Sequence, residues 1–273
     1  MGKLRILILV VFLAVSLGCI GSGVEEKASQ PEFSVNVSAG EGGIRFNLAF
    51  DGRSFAYLLP GEFGGYVNVS GGVLLYALSP SNGTSEYAFV DSAGAERWRK
   101  TIEGVFHPVG GGEGFVVLAR EVEGWSENTT VHVIDVPTGN ETRFVIRERA
   151  FHVSDALVLN GTLYLAGAGA FSGDAFVYAF GKNSSRRALV DSAGDRLVGV
   201  RVLMDSDGKR IVIAYDLYTW RGEFKRGLRV FSLPELEEEA SFEVPEGSLM
   251  SVEINGKEII VKTKETTVSY SLN

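Results

Sequence analysis

The chain has 273 residues, a formal net charge of −8 and a single cysteine. An acidic chain of this kind lacks the basic surface through which proteins bind nucleic acids, so we expect no nucleic-acid partner. One cysteine cannot form an internal disulfide, and only three histidines are present. Composition therefore disfavours nucleic-acid binding and disulfide-stapled folds, and it leaves little material for a metal site.

Residues 1–18 predict a signal peptide. Lys3 and Arg5 give a positively charged start, and the apolar run, residues 4–15, is shorter than the roughly 20 residues needed to span a bilayer. The segment Val15-Ser16-Leu17-Gly18-Cys19 resembles a lipoprotein lipobox, although Ser16 stands where leucine is commonest. This resemblance implies cleavage before Cys19, a lipid on Cys19 and an extracytoplasmic, membrane-anchored protein. The alternative is an uncleaved transmembrane anchor.

The residues after the cysteine divide into two parts. Residues 19–32 are polar and glycine-containing, without apolar periodicity, and predict a flexible linker. Residues 33–273 form the folded body, which is within the size range of a single all-β domain.

Asparagine usage supports the extracytoplasmic prediction. Seven of the ten asparagines begin an Asn-X-Ser/Thr sequon without an intervening proline, which predicts an N-glycosylated surface. These candidate sites are Asn36, Asn68, Asn82, Asn128, Asn140, Asn160 and Asn183. The alternative is that pairs such as Asn82-Gly83 are hairpin turns. Sequon density together with a lipobox points to an archaeal cell surface.

Apolar residues in the folded body alternate with period two, which predicts an all-β fold with one helical turn at residues 234–239. A turn followed by a buried strand recurs with glycines at 72, 114, 161, 208 and 256. This spacing matches one four-stranded propeller blade. We therefore predict a β-propeller of five or six blades, with units at 64–104, 105–149, 150–196, 197–247 and from 248. The alternative is a two-sheet β-sandwich.

The last predicted unit is one strand short of a complete blade. Residues 33–37 could supply that strand and close the ring, which would protect the exposed sheet edges.

Within the units, an Asp-X-X-X-Gly-type turn is followed by a strand that carries tryptophan. The residues that match are Asp91, Gly94, Trp98, Asp135 and Gly139. Here the chain resembles PQQ-like and WD40-like propeller repeats. The anchor and fold also resemble propeller lipoproteins of outer-membrane assembly, but the sequons disfavour a Gram-negative periplasm.

Motifs for chemistry are sparse, because the chain contains no nucleophile elbow, P-loop, zinc-protease helix or cysteine cluster. We predict no cofactor and no metal. His107 and His152 lie at similar places in consecutive units, and we expect Arg201 at the comparable position in the next unit, so these three are candidates for the central channel. His132 is expected to be a packed or surface residue, and residues 205–208 a hairpin turn.

The candidate binding face consists of Trp125, Tyr218 and Trp220, in two aromatic loops expected at residues 123–127 and 215–224. Tryptophan, tyrosine and arginine dominate binding hot spots. The sequence therefore favours a non-catalytic, lipid-anchored propeller that binds a surface protein or glycan. The alternative is a propeller hydrolase or lyase acting on extracellular carbohydrate.

Overall fold

A computed structural model describes residues 34–120 and 128–272, and all its regular elements are β-strands. The first sheet contains β1 (Ser34–Gly40), β2 (Gly43–Phe50) and β3 (Arg53–Leu59). The second contains β4 (Phe63–Val69), β5 (Gly72–Ser79), β6 (Thr84–Asp91) and β7 (Glu96–Glu103). The third contains β8 (Phe106–Gly112), β9 (Phe115–Arg120), β10 (Thr129–Asp135) and β11 (Glu141–Ile146).

Three further sheets follow in chain order. The fourth contains β12 (Phe151–Leu159), β13 (Thr162–Gly169), β14 (Asp174–Phe180) and β15 (Ser185–Ser192). The fifth contains β16 (Leu197–Ser206), β17 (Arg210–Thr219), β18 (Phe224–Ser232) and β19 (Glu238–Phe242). The sixth contains β20 (Leu249–Asn255), β21 (Glu258–Thr263) and β22 (Thr267–Ser271).

Each sheet is an antiparallel meander, as the period-two pattern predicts. The innermost strands β8 and β12 also pair in parallel over two residues, which joins the third and fourth sheets. The all-β prediction is confirmed, and the blade boundaries agree with the predicted units to within a few residues. Residues 234–239 are wrongly predicted as helical, because Leu236 adopts a positive φ of 61° and the segment forms a turn.

The core consists of five clusters of buried side chains, each between two consecutive sheets. The middle strands of the second to fifth sheets are buried on both faces, for example β5 and β17. This is why these strands are continuous apolar runs rather than alternating ones.

The first and sixth sheets have one buried face each. In β2, Phe46 and Leu48 are buried, whereas Arg45 and Asn47 are exposed. The predicted ring closure is wrong, because β1 pairs with β2 and, among the described residues, no strand of the sixth sheet pairs with the first. Both terminal sheets therefore have three strands, and their outward faces are polar.

The repeat motif serves to hold neighbouring sheets together. Trp98 on β7 donates a hydrogen bond from Nε1 to the Val136 carbonyl (2.6 Å), and a Cβ at Gly139 would lie 3.0 Å from the Trp98 ring. The preceding sheet repeats this contact, with the Tyr57 hydroxyl donating to the Gly94 carbonyl at 2.6 Å. The turn glycine thus leaves room for an aromatic ring from the sheet before it.

The innermost strands are joined by aspartates. Asp155 on β12 accepts a hydrogen bond from the Met204 amide on β16, and Asp205 accepts one from the Ile254 amide on β20, both at 2.8 Å. Protein atoms surround the Asp155 carboxyl although part of the residue reaches solvent, and this burial raises its pKa to about 7. The Asp205 charge raises the pKa further, against two amide hydrogen bonds that lower it.

In each four-stranded sheet the meander places the turn between the second and third strands at the same end as the connections to the neighbouring sheets. We call this the upper end.

No helix within the described ranges has the length and apolarity needed to cross a bilayer.

Candidate functional site

The upper ends of the third, fourth and fifth sheets are joined by backbone hydrogen bonds. The Ala170 amide donates to the Ala150 carbonyl (3.1 Å), and the Leu197 amide donates to the Ala170 carbonyl (2.8 Å). The Trp220 amide then donates to the Arg196 carbonyl at 2.8 Å. Four loops are therefore fixed relative to one another.

Each of these loops contributes one planar side chain to an alternating stack, the Arg–aromatic row: Arg149, Phe171, Arg196 and Trp220. The Arg149 guanidinium lies 5.0 Å from the centre of the Phe171 ring. Arg196 lies between two rings, 5.2 Å from Phe171 and 5.9 Å from Trp220. Each such contact contributes about 0.5–1 kcal/mol at an exposed site, so the contacts of the row add to one another in stabilising this arrangement.

Gly173 sets the close approach of two of these loops. It has a φ of +75°, and a Cβ at this position would lie 2.2 Å from the backbone oxygen of Asp195. The neighbouring Arg221 Nε lies 3.1 Å from an Asp195 carboxylate oxygen. These contacts fix the segment that carries Arg196.

Beside the row lies an exposed group of large apolar side chains, the apolar patch: Val198, Tyr218, Trp220, Phe224 and Met250. Trp220 is 71% exposed, and the Tyr218 and Phe224 rings are 4.5 Å apart. Val198 and Met250 are equivalent residues, since each is left unpaired by a bulge at the start of an innermost strand. The five residues all lie at the upper ends of the fifth and sixth sheets.

A buried ion pair supports the patch from below. Arg226 donates to both carboxylate oxygens of Asp216, at 2.6 and 3.1 Å, and to the Pro245 carbonyl at 2.7 Å. The two side chains are only 9% and 3% exposed. The Arg226 guanidinium also lies 4.7 Å from the centre of the Phe224 ring, which helps to hold Phe224 in place.

A cleft of about 440 Å³ adjoins Phe224 and contains Asp191, Tyr215, Lys225 and Arg229. The Tyr215 hydroxyl donates to Asp191 at 2.5 Å, and burial raises the pKa of Tyr215. The pKa of Asp191 lies below its usual value. Burial alone would raise it, but the Tyr215 hydrogen bond and the nearby cations have the larger, opposite effect. The Tyr215 proton is therefore engaged by the Asp191 carboxylate rather than available for acid–base chemistry.

The channel candidates do not occupy one level of the fold. His107 and His152 are both second residues of innermost strands and pair across to Ala119 and Ala168. Arg201 does not match them, because Val198 is the second residue of β16 and Arg201 pairs further along with Asp216. No group of three possible metal ligands occurs among the described residues. His132 is packed, with its ring 4.3 Å from that of Phe106 and Nδ1 2.7 Å from Glu141.

The structure brings Tyr218 and Trp220 together at the upper end of the fifth sheet. The long loop expected at 215–224 is wrong, because β17 continues to Thr219 and β18 begins at Phe224, which leaves a tight turn. Trp125 and Cys19 lie outside the described residues, as do the predicted signal peptide and linker.

Sequence reasoning missed Arg149, Phe171 and Arg196. The repeat period could have found them, because Arg149 and Arg196 are 47 residues apart in successive connections between sheets. Phe171 and Trp220 are 49 residues apart in successive turns. The pattern becomes visible only when loops at equivalent positions in successive sheets are compared.

All seven sequon asparagines are exposed. They lie in the first four sheets or their turns, and residues 197–272 contain no sequon. None falls in the four loops that carry the Arg–aromatic row. The fifth and sixth sheets, and the upper end of the fourth, therefore carry no candidate glycan site.

Comparison with known proteins shows the fold alone. The chain matches no known protein family and no curated protein sequence. It is similar to the computationally designed protein Ika8, with a TM-score of 0.57, 10% identity, and coverage of 92% of this chain and 74% of Ika8. Kluyveromyces lactis Hsv2 gives a TM-score of 0.51 at 12% identity, covering 89% of this chain and 72% of Hsv2.

Kuenenia stuttgartiensis hydrazine synthase gives a TM-score of 0.52 at 11% identity, with coverage of 83% of this chain and 70% of that chain. Such low identities carry no function across. The structural neighbours are β-propellers, and this chain is an all-β protein of the β-propeller fold.

Proposed function

We propose that this protein is a membrane-tethered, non-catalytic propeller that binds a protein or glycan at the extracytoplasmic surface. The tether is the predicted lipid on Cys19. The binding face is the upper end of the fourth to sixth sheets, where the Arg–aromatic row and the apolar patch lie.

One observation carries this proposal. Large apolar side chains are exposed as a group with Arg196 on a backbone fixed by inter-loop hydrogen bonds. Tyrosine, tryptophan, phenylalanine, methionine and arginine are the types enriched in binding interfaces. Exposed apolar groups of this kind mark interaction sites when they are contiguous.

The distribution of sequons supports the same face. Glycans at the seven candidate sites would cover parts of the first four sheets, whereas the fifth and sixth sheets would stay accessible. A partner could then approach the apolar patch without displacing a glycan.

The proposal is tested by screening the purified protein on a glycan array and against a cell-surface extract. The variant carries Tyr218→Ala and Trp220→Ala, which remove two exposed rings and leave the core intact. Its matched control is Tyr66→Ala, an exposed tyrosine on the second sheet.

We expect the wild type and the control to retain one selective ligand. The double variant should lose at least tenfold in affinity for it. Equal retention by all three proteins would place the site elsewhere, and failure to bind any glycan or protein, a second copy of this chain included, would contradict the proposal.

A further inference from the structure

Next to the apolar patch lie two opposite charges that have no ion-pair partner among the described residues. The Arg196 guanidinium lies over the Phe171 and Trp220 rings, and it forms no ion pair or side-chain hydrogen bond with any described residue. The Glu223 carboxylate, in the turn next to Trp220, likewise has no described partner. Both residues are exposed.

Arg196 lies over two aromatic rings, with its guanidinium 5.2 Å from the centre of Phe171 and 5.9 Å from that of Trp220. The residue is exposed, so its hydrogen-bond donors are open to a partner. A guanidinium suits a carboxylate, which it can bind through two parallel hydrogen bonds. The surface therefore presents a cation for a carboxylate next to exposed apolar rings.

The same surface also presents a carboxylate. An unpaired cation and an unpaired anion beside one apolar centre supply both halves of the charge pairs that a two-fold interface between identical copies uses. In such an interface Arg196 of one copy meets Glu223 of the partner subunit, and the reverse pair forms by symmetry. The apolar patches meet between the two pairs, where their burial supplies the main driving force.

We propose that the apolar patch is a self-association surface, and that the partner bound there is a second copy of this chain. The inference rests on the proposed function, because it names the protein that the binding face recognises. Copies tethered to one membrane share a thin layer of space, so a weak contact suffices to pair them.

The first test is sedimentation equilibrium of the purified full chain in density-matched detergent. We expect a concentration-dependent monomer–dimer equilibrium in the micromolar range. Trp220→Ala should weaken it at least tenfold. The control Arg53→Glu, an exposed charge on the first sheet, should leave it unchanged.

The second test uses charge reversal. Arg196→Glu alone places two carboxylates opposite each other at both pairs, and Glu223→Arg alone places two cations there. Each variant should dimerise at least tenfold more weakly than the wild type. Mixing the two single variants should restore association, because every pair in the mixed dimer again joins opposite charges.

A monomeric wild type up to 100 µM would overturn the inference, as would a dimer unaffected by Trp220→Ala or by the charge reversals. If the monomer still captures a glycan or another protein through Tyr218 and Trp220, the proposed function stands and only the identity of the partner changes. If the monomer captures nothing, both proposals fail.

Discussion

The ion pair between Asp216 and Arg226 is the charged contact on which the apolar patch depends. Removing one member of a buried, bidentate pair leaves the other charge uncompensated, which costs about 3–5 kcal/mol. Asp216→Asn should therefore lower the free energy of unfolding by about 3 kcal/mol. Chemical denaturation measures this loss.

The control for this substitution is Glu235→Gln. Its partner Arg186 lies 3.9 Å away and both side chains are about half exposed, so the loss should stay below about 1 kcal/mol. Equal losses for the two variants would show that the buried pair contributes no more to stability than the exposed pair does.

Asp155 predicts a pH dependence. Its folded pKa of about 7 lies above the value of about 3.9 for unfolded aspartate. Between these values the folded state binds more protons, so the stability that Asp155 contributes is present below about pH 4 and is lost as pH rises to about 7. Asp155→Asn should remove this decline, and urea unfolding at pH 4.5 and pH 8 measures it.

The control is Glu258→Gln, which changes an exposed side chain on the sixth sheet. Its free energy of unfolding should equal that of the wild type at both pH values. Parallel behaviour of Asp155→Asn and wild type would contradict the assigned role of Asp155.

At the scale of elements, the loops of the candidate site depend on one glycine. Gly173 and Gly222 occupy successive turns with φ of +75° and +83°. Alanine at Gly222 meets open space, so it costs only the left-handed backbone conformation, about 1 kcal/mol. Alanine at Gly173 must also displace the Asp195 backbone, so we expect a clearly larger loss in thermal stability, together with weaker ligand binding. Similar melting temperatures for the two variants would contradict this account of the loop packing.

At the scale of the whole molecule, the polar outward face of the first sheet distinguishes an open array from a closed ring. Phe46→Ala removes a fully buried ring and should cost about 3–5 kcal/mol. Asn47→Lys, on the opposite face of the same strand, should change the stability by less than about 0.5 kcal/mol. A large loss for Asn47→Lys in denaturant unfolding would mean that another sheet covers this face.

Much of this fold could be predicted from the sequence, because alternation, turn glycines and repeat period are local signals. The strands and blade boundaries followed from them. The absence of ring closure could not be predicted in this way, because it depends on whether β1 pairs with the last sheet or with β2. In the structure β1 pairs with β2, its neighbour in the chain. The exposed face of β2, with Arg45 and Asn47 alternating with buried residues, already indicated an end sheet.

The candidate site was predicted only in part. Tyr218 and Trp220 were identified by residue type, but Arg196 and Phe171 contribute through stacking between loops that are distant in the chain. The bulges that expose Val198 and Met250 are equally invisible in the sequence, since both residues look like ordinary members of a buried strand.

The central claim is that the upper end of the fourth to sixth sheets is the binding face. A photo-crosslinking residue, benzoylphenylalanine, placed at Tyr218 or at Tyr66 tests it directly, because these tyrosines are similarly exposed, at 44% and 40%. Irradiation on intact cells should give crosslinked products from position 218 and few from position 66. Crosslinking from position 66 alone, or equally from both, would contradict the account.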